Sequence, residues 1–209
     1  MPVHKLSQIG SIGSTKIDYP SMLAGYGDYG AVQRIGYKTA DGTASDYSFT
    51  NIPQIYQDLM LVVYARGAKA ATTCTFLGYV GTGANGTNLL QSNENSTTIL
   101  YGDGTNAQST RTSNATGLVV TGGIPAASAT SGIFASCVFH FLNYANTSTY
   151  KNVLMRTATD RNGAGNVNLQ VGLMRTTSAL QTVGVATYGD GNLVSGSTFA
   201  LYGVKASNA

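Results

Sequence analysis

The segment GIFASCVFHFLNY, residues 132–144, indicates the fold of the whole chain. Its alternate positions are apolar, and they are Ile133, Ala135, Cys137, Phe139 and Phe141. The positions between them include Ser136, Val138 and His140. A side-chain period of two is that of a β-strand with one face in a core. The segment therefore predicts a sheet whose inner side is buried.

The composition extends this prediction to the rest of the chain. Only 10% of the 209 residues are charged, against a typical value of about 25%. Helices recruit Glu, Lys, Ala and Leu for their exposed faces, and this chain has a single glutamate, Glu94. Further strand-like runs lie at 31–39, 45–50, 58–66, 72–80, 97–101, 116–121, 150–159, 166–174, 180–188 and 198–204. We therefore predict an all-β fold, an antiparallel β-sandwich domain at residues 31–209.

Two runs make specific predictions about burial. Residues 59–64 are apolar at nearly every position, which predicts a central strand covered on both sides, by two packed sheets or within an oligomer. The run NVNLQVGL, 166–173, alternates instead. Its pattern predicts a solvent-facing polar set, Asn166, Asn168, Gln170 and Gly172. It predicts a core-facing apolar set, Val167, Leu169, Val171 and Leu173.

The first thirty residues differ from the rest of the chain. Residues 1–30 contain seven glycines and prolines among scattered apolar residues, so they predict an extended N-terminal arm rather than part of a core. The arm has no apolar stretch typical of a secretory signal, and no window of the sequence approaches a membrane span. We therefore expect no membrane association, and two reduced core cysteines, Cys74 and Cys137.

Charge and glycine motifs argue against nucleic-acid and cofactor binding. The net charge of +3 includes no basic run that would attract phosphates, so no nucleic-acid partner is expected. GTGANG, residues 81–86, matches a dinucleotide-binding pattern but is followed by a poor helix former and by no βαβ series. His4 and His140 are distant in sequence from each other and lack the short ligand spacing of a zinc site. We predict neither a cofactor nor a metal.

The candidate binding residues lie in the turns. YGDGTN (101–106), DRNGAGN (160–166) and YGDGN (188–192) contain Asp-Gly and Asn-Gly pairs typical of hairpin turns. Asp-Gly supplies turns more often than calcium ligands, so we favour turns there. No nucleophile motif or paired carboxylates at a defined spacing indicate an enzyme, and we predict no catalytic residue. The possible loop contacts for a ligand are Tyr101, Asp103, Asn106, Asp160, Asn162, Tyr188 and Asp190.

Several segments together resemble a family of small tailed-phage virion structural proteins. The segments are DYPSMLAGYGDYG (18–30), FTNIPQIYQDLMLVVYAR (49–66), 122–156 and the terminal GSTFALYGVKA (196–206). Tyr26 stands where an asparagine is expected after SMLAG. The resemblance implies a jelly-roll-like sandwich that assembles as a homotrimer or fibre-like appendage on the virion, without enzymatic activity.

The resemblance suggests two roles. The first is a capsid decoration or cement protein, located on a virion assembled in the host cytoplasm, whose arm binds the major capsid protein, another virion protein or a neighbouring copy. The arm anchors expected for this role are Ile9, Ile12, Ile17, Met22 and Leu23. The second role is a short tail fibre or receptor-binding adaptor that contacts host surface glycan through the turn loops.

Overall fold

A computed structural model describes residues 31–115 and 117–205. In this part, twelve strands are joined by loops and two 3₁₀ turns, Ala84–Gly86 and Ser92–Glu94. The strands are β1 Val32–Thr39, β2 Asp46–Phe49, β3 Asp58–Ala65, β4 Thr73–Gly81, β5 Asn95–Gly102, β6 Ala107–Ala115, β7 Leu118–Pro125, β8 Ala135–Leu142, β9 Lys151–Asp160, β10 Gly165–Met174, β11 Thr182–Ala186 and β12 Thr198–Val204. The all-β prediction is confirmed. The predicted arm, residues 1–30, and its five anchors lie outside the described residues.

The strand order is that of a jelly roll. The larger sheet runs β1-β12-β3-β8-β9-β10-β5-β6, and the smaller runs β2-β11-β4-β7. Early strands pair antiparallel with late ones: β1 with β12, β2 with β11, β3 with β8 and β4 with β7. This is the order produced when one long antiparallel hairpin is rolled into two packed sheets, and it confirms the antiparallel sandwich.

Two hairpins extend the larger sheet beyond the jelly roll. β5–β6 is inserted between β4 and β7, and β9–β10 between β8 and β11. They add four neighbouring strands past β8, here called the extension, in the order β9-β10-β5-β6. The edge strand β6, AQSTRTSNA, was not predicted, because it is exposed on both faces up to Asn114 and so has no polar–apolar alternation.

The core lies between the two sheets. β8 buries Cys137, Phe139 and Phe141, as its sequence pattern predicts. Gly78 of β4 lets the opposing sheet approach, since a Cβ there would lie 2.7 Å from the Phe139 ring. Each fully buried large apolar side chain contributes about 1.5–3 kcal/mol. Burial raises the pKa of the Cys137 thiol to about 12, and the Cys74 thiol is also free and buried, as predicted.

A buried arginine organises the loop between β7 and β8. Arg66 follows β3, and its guanidinium donates four hydrogen bonds of 2.7–3.4 Å. The acceptors are the carbonyls of Ala127, Ala129, Thr130 and Ile133. A planar guanidinium has five donors in a fixed fork, so one side chain holds four points of this loop.

The prediction that residues 59–64 are covered on both sides is wrong for the single chain. Leu59, Leu61 and Val63 face the core and are buried, whereas Tyr64 on the other side is 45% exposed. Met60 and Val62 are half-buried. β3 is central in its sheet, but the described residues place no second layer over its outer side.

The predicted polarity of β10 is also wrong. Asn166, Asn168 and Gln170 are buried, and Val167, Leu169 and Val171 are exposed. Leu173, predicted for the core, is only half-buried, and Gly172, predicted for the solvent, is buried.

The reversal has a cause in β7, an edge strand of the smaller sheet. The Asn168 amide nitrogen donates to the Thr121 carbonyl at 2.7 Å and to the Thr157 hydroxyl at 2.8 Å. Gln170, with its amide oriented to satisfy both atoms, donates to the Val119 carbonyl at 2.8 Å and accepts from the Thr121 amide at 3.3 Å. The inward amides thus form hydrogen bonds with backbone groups of β7 that would otherwise be unpaired at the edge of its sheet.

Candidate functional site

Two of the three predicted turn loops meet at one cleft. A shallow depression of about 440 Å³ is lined by residues 102–104 and by residues 159–160 and 163–167. Asp103 and Asp160 are among its lining residues. Asn162 lies in the same turn at a positive φ of 59° but does not line the cleft. The structure therefore brings together the loops of β5–β6 and β9–β10, at one end of the extension.

The carboxylates at this cleft are engaged in their own turns. Asp103 accepts the backbone N–H groups of Asn106 at 2.7 Å and Thr105 at 2.9 Å, and these bonds lower its pKa. Asp160 accepts the N–H of Asn162 at 2.9 Å. These hydrogen bonds confirm the prediction that the Asp-containing segments are turns. Tyr101 lies on β5, half-buried and outside the cleft lining.

The third loop is held elsewhere on the surface. Asp190 forms an ion pair of 2.7 Å with Lys69 and accepts the Thr75 N–H at 2.6 Å, which lowers the pKa of Asp190 to about 2. It lines a second cleft with Gly122 and Gly123, separate from the first. Tyr188, 60% exposed, precedes this turn. The seven predicted loop contacts therefore do not form a single site.

The described residues, 31–115 and 117–205, contain no group of three His, Cys, Asp or Glu side chains that could hold a metal ion. In the same ranges, no helix has the length and hydropathy needed to cross a bilayer.

A different surface is more distinctive: the outer face of the larger sheet. Its registered positions form rows that cross all eight strands. The middle row is Tyr37, Ala200, Val62, Val138, Arg156, Leu169, Leu100 and Ser109. With neighbouring strands about 4.8 Å apart, such a row spans roughly 34 Å.

The extension presents a cluster of exposed apolar side chains on this face, here called the outer patch. Their exposed fractions are Val167 66%, Leu100 57%, Leu169 55%, Leu154 43% and Val171 39%. Leu169 lies directly opposite Leu100, and Val171 opposite Leu154, so the five side chains are contiguous. Together they expose a few hundred Å², the size of the largest apolar patches on monomeric proteins.

Charged side chains on this face surround the outer patch, and Arg34 on β1 and Arg111 on β6 lie at the two ends of the row that contains Val171. Arg156 projects beside Leu169 and, among the described residues, forms no ion pair. Asp160 lies four residues further along the same side of β9. His140 Nε2 lies 3.3 Å from Asp58 Oδ2. An apolar centre with arginines beside it is a composition found at protein interfaces, where arginine is enriched.

The outer patch was missed by the sequence analysis because the polarity of β10 was assigned the wrong way round. The local signal was present, since the alternation itself was recognised. Which face of β10 is buried depends on β7, which lies against it. Because β7 is distant in the sequence, no local pattern shows this.

Comparison of the chain with protein-family models, with curated proteins and with solved structures found no match.

Proposed function

We propose that this chain is a non-enzymatic structural protein of a tailed-phage particle, a decoration or cement subunit that stabilises the shell. The observation that carries the proposal is the inverted polarity of β10, whose amides face the smaller sheet while its leucine and valines join Leu100 and Leu154 on the outer face. An apolar patch at the upper end of the size range of monomeric proteins is often a functional surface. The segments that resemble virion structural proteins support the same role.

The outer face is the surface through which the subunit assembles. It is broad and made by rigid strands, so it binds without the ordering cost that a flexible loop would incur. In the decoration role, copies associate with one another on the particle, and residues 1–30 contact the major capsid protein or another virion protein.

The test is the location of the protein and its dependence on this face. Immunogold electron microscopy of intact virions should place the protein over the head. Purified Leu169→Glu protein should fail to bind particles that lack the subunit, whereas Ile55→Glu, altered at a 77% exposed position in the turn before β3, should bind like wild type. Absence of the protein from virions would contradict the proposal.

A second function, glycan binding by a tail fibre or adaptor, is favoured by one observation. Residues 102–104, 159–160 and 163–167 come together around one open cleft with a polar and apolar lining, the form of a weak sugar site. Weak sites gain strength through several linked copies. Gold label confined to the tail, with glycan-array binding lost on Asp103→Ala but kept on Asp41→Ala, would select this function instead.

A further inference from the structure

We infer that the outer patch is covered by a second copy of this chain, packed face to face on the larger sheet. The inference deepens the proposed function, on which it rests for the need to cover this face, and it names the occupant. Three properties of the face point to another copy of itself.

The first property is its extent. Three registered rows, those of Leu169, Val171 and Val167, cross all eight strands of the sheet. They hold about as many residues as the roughly 20–30 that each partner contributes to a stable interface. The face is therefore large enough to supply one partner's share of a stable interface.

The second property is its regular sheet surface. Two sheets stack about 10 Å apart, with the side chains of their facing surfaces interdigitating. A two-fold symmetric pair uses the same patch on both copies, so one surface must complement itself. The exposed Leu and Val positions of β10, β9 and β5 recur at every second residue, which is the spacing that interdigitation of two such faces requires.

The third property is charge. Arg156 has no carboxylate partner among the described residues, and Asp160 lies about 13 Å away on the same side of the same strand. If two β9 strands run antiparallel across the interface about a two-fold axis at Ala158, Arg156 of one copy lies over Asp160 of the other, and symmetry makes the pair twice. In this register the row of Val167 packs on itself and the row of Leu169 packs on that of Asp160. In this arrangement, Arg156 of each copy gains a carboxylate partner in Asp160 of the other copy.

The experiment is a mass measurement on the full chain by size-exclusion chromatography with light scattering, from about 1 to about 100 µM protein. Wild type and Ile55→Glu should show twice 21.7 kDa at the upper concentrations. Leu169→Glu should weaken self-association at least about 30-fold, as for a central interface residue. Far-UV circular dichroism and the melting temperature confirm that each variant is folded.

A charge-exchange series tests the pairing itself. Arg156→Glu should weaken self-association, and adding Asp160→Lys to it should restore part of the loss. A wild-type mass of 21.7 kDa throughout the range would overturn the inference, as would equal masses for wild type and Leu169→Glu. Absence from virions with self-association intact would refute the proposed function alone, and virion binding by a monomer would refute this inference alone.

Discussion

The polarity of β10 can be tested by two substitutions at adjacent positions. Gln170→Met keeps the length of the side chain but removes its bonds to the Val119 carbonyl and the Thr121 amide. Each backbone group left unpaired away from water costs about 1–3 kcal/mol, and the Thr121 bond, which is long at 3.3 Å, counts at the lower end. We therefore expect a loss of about 2–4 kcal/mol in the free energy of unfolding. Leu169→Gln changes an exposed side chain and should cost less than about 1 kcal/mol.

The assay is urea denaturation followed by circular dichroism. With a slope of about 2 kcal/mol per molar urea, Gln170→Met should lower the midpoint by about 1–2 M, and Leu169→Gln by less than about 0.5 M. Both variants are measured at two protein concentrations tenfold apart, because loss of self-association lowers apparent stability in a concentration-dependent way. The polarity assigned from the sequence alone predicts the opposite, a larger loss of stability for Leu169→Gln than for Gln170→Met. A concentration-independent loss above about 2 kcal/mol for Leu169→Gln, with Gln170→Met unchanged, would refute the structural reasoning.

Three further predictions concern buried or paired charges. Arg66→Met should lower the free energy of unfolding by at least about 3 kcal/mol in urea titration, because the β7–β8 loop loses four charge-assisted hydrogen bonds, and Arg66→Lys should recover only part of it. Burial lowers the pKa of Lys151, so between that lowered value and its ordinary value of 10.5 the unfolded chain binds more protons and stability rises with pH. Denaturation of Lys151→Met beside wild type should show a stability difference that shifts in favour of wild type across that window, and a constant difference would contradict it. Asp190, with its pKa lowered to about 2, stabilises the fold above about pH 3.8 and loses this contribution as pH falls toward 2, so Asp190→Asn should flatten that part of the acid unfolding curve.

The sequence predicted what depends on local alternation. β8 alternates over its whole length and lies between two other strands, so its inward residues, among them Phe139 and Phe141, were identified correctly. Turn chemistry was equally local: Asp103 binds the N–H groups two and three residues after it, a contact that needs no other part of the chain.

What the sequence did not predict depends on neighbours distant in the chain. β6 lies at the far edge of the larger sheet, and both of its faces are exposed. Since neither face needs to be apolar, its sequence shows no alternation. Alternation in β10 was visible, but alternation gives two faces without saying which is inside. That choice depended on β7, about fifty residues earlier, whose edge groups are paired by Asn168 and Gln170.

The polarity of the extension also explains why its apolar side is available for assembly. A strand has two faces, and in β10 the inner one binds the edge of β7, which prevents that edge from pairing with another chain. The remaining face carries leucine and valine in register with those of β5 and β9. β10 thus protects one edge of the sandwich from pairing with another chain and, with β5 and β9, presents an apolar surface to a partner. A change that moved the apolar residues inward would lose both properties together, since β7 would be left unpaired and the outer face would become ordinary polar surface.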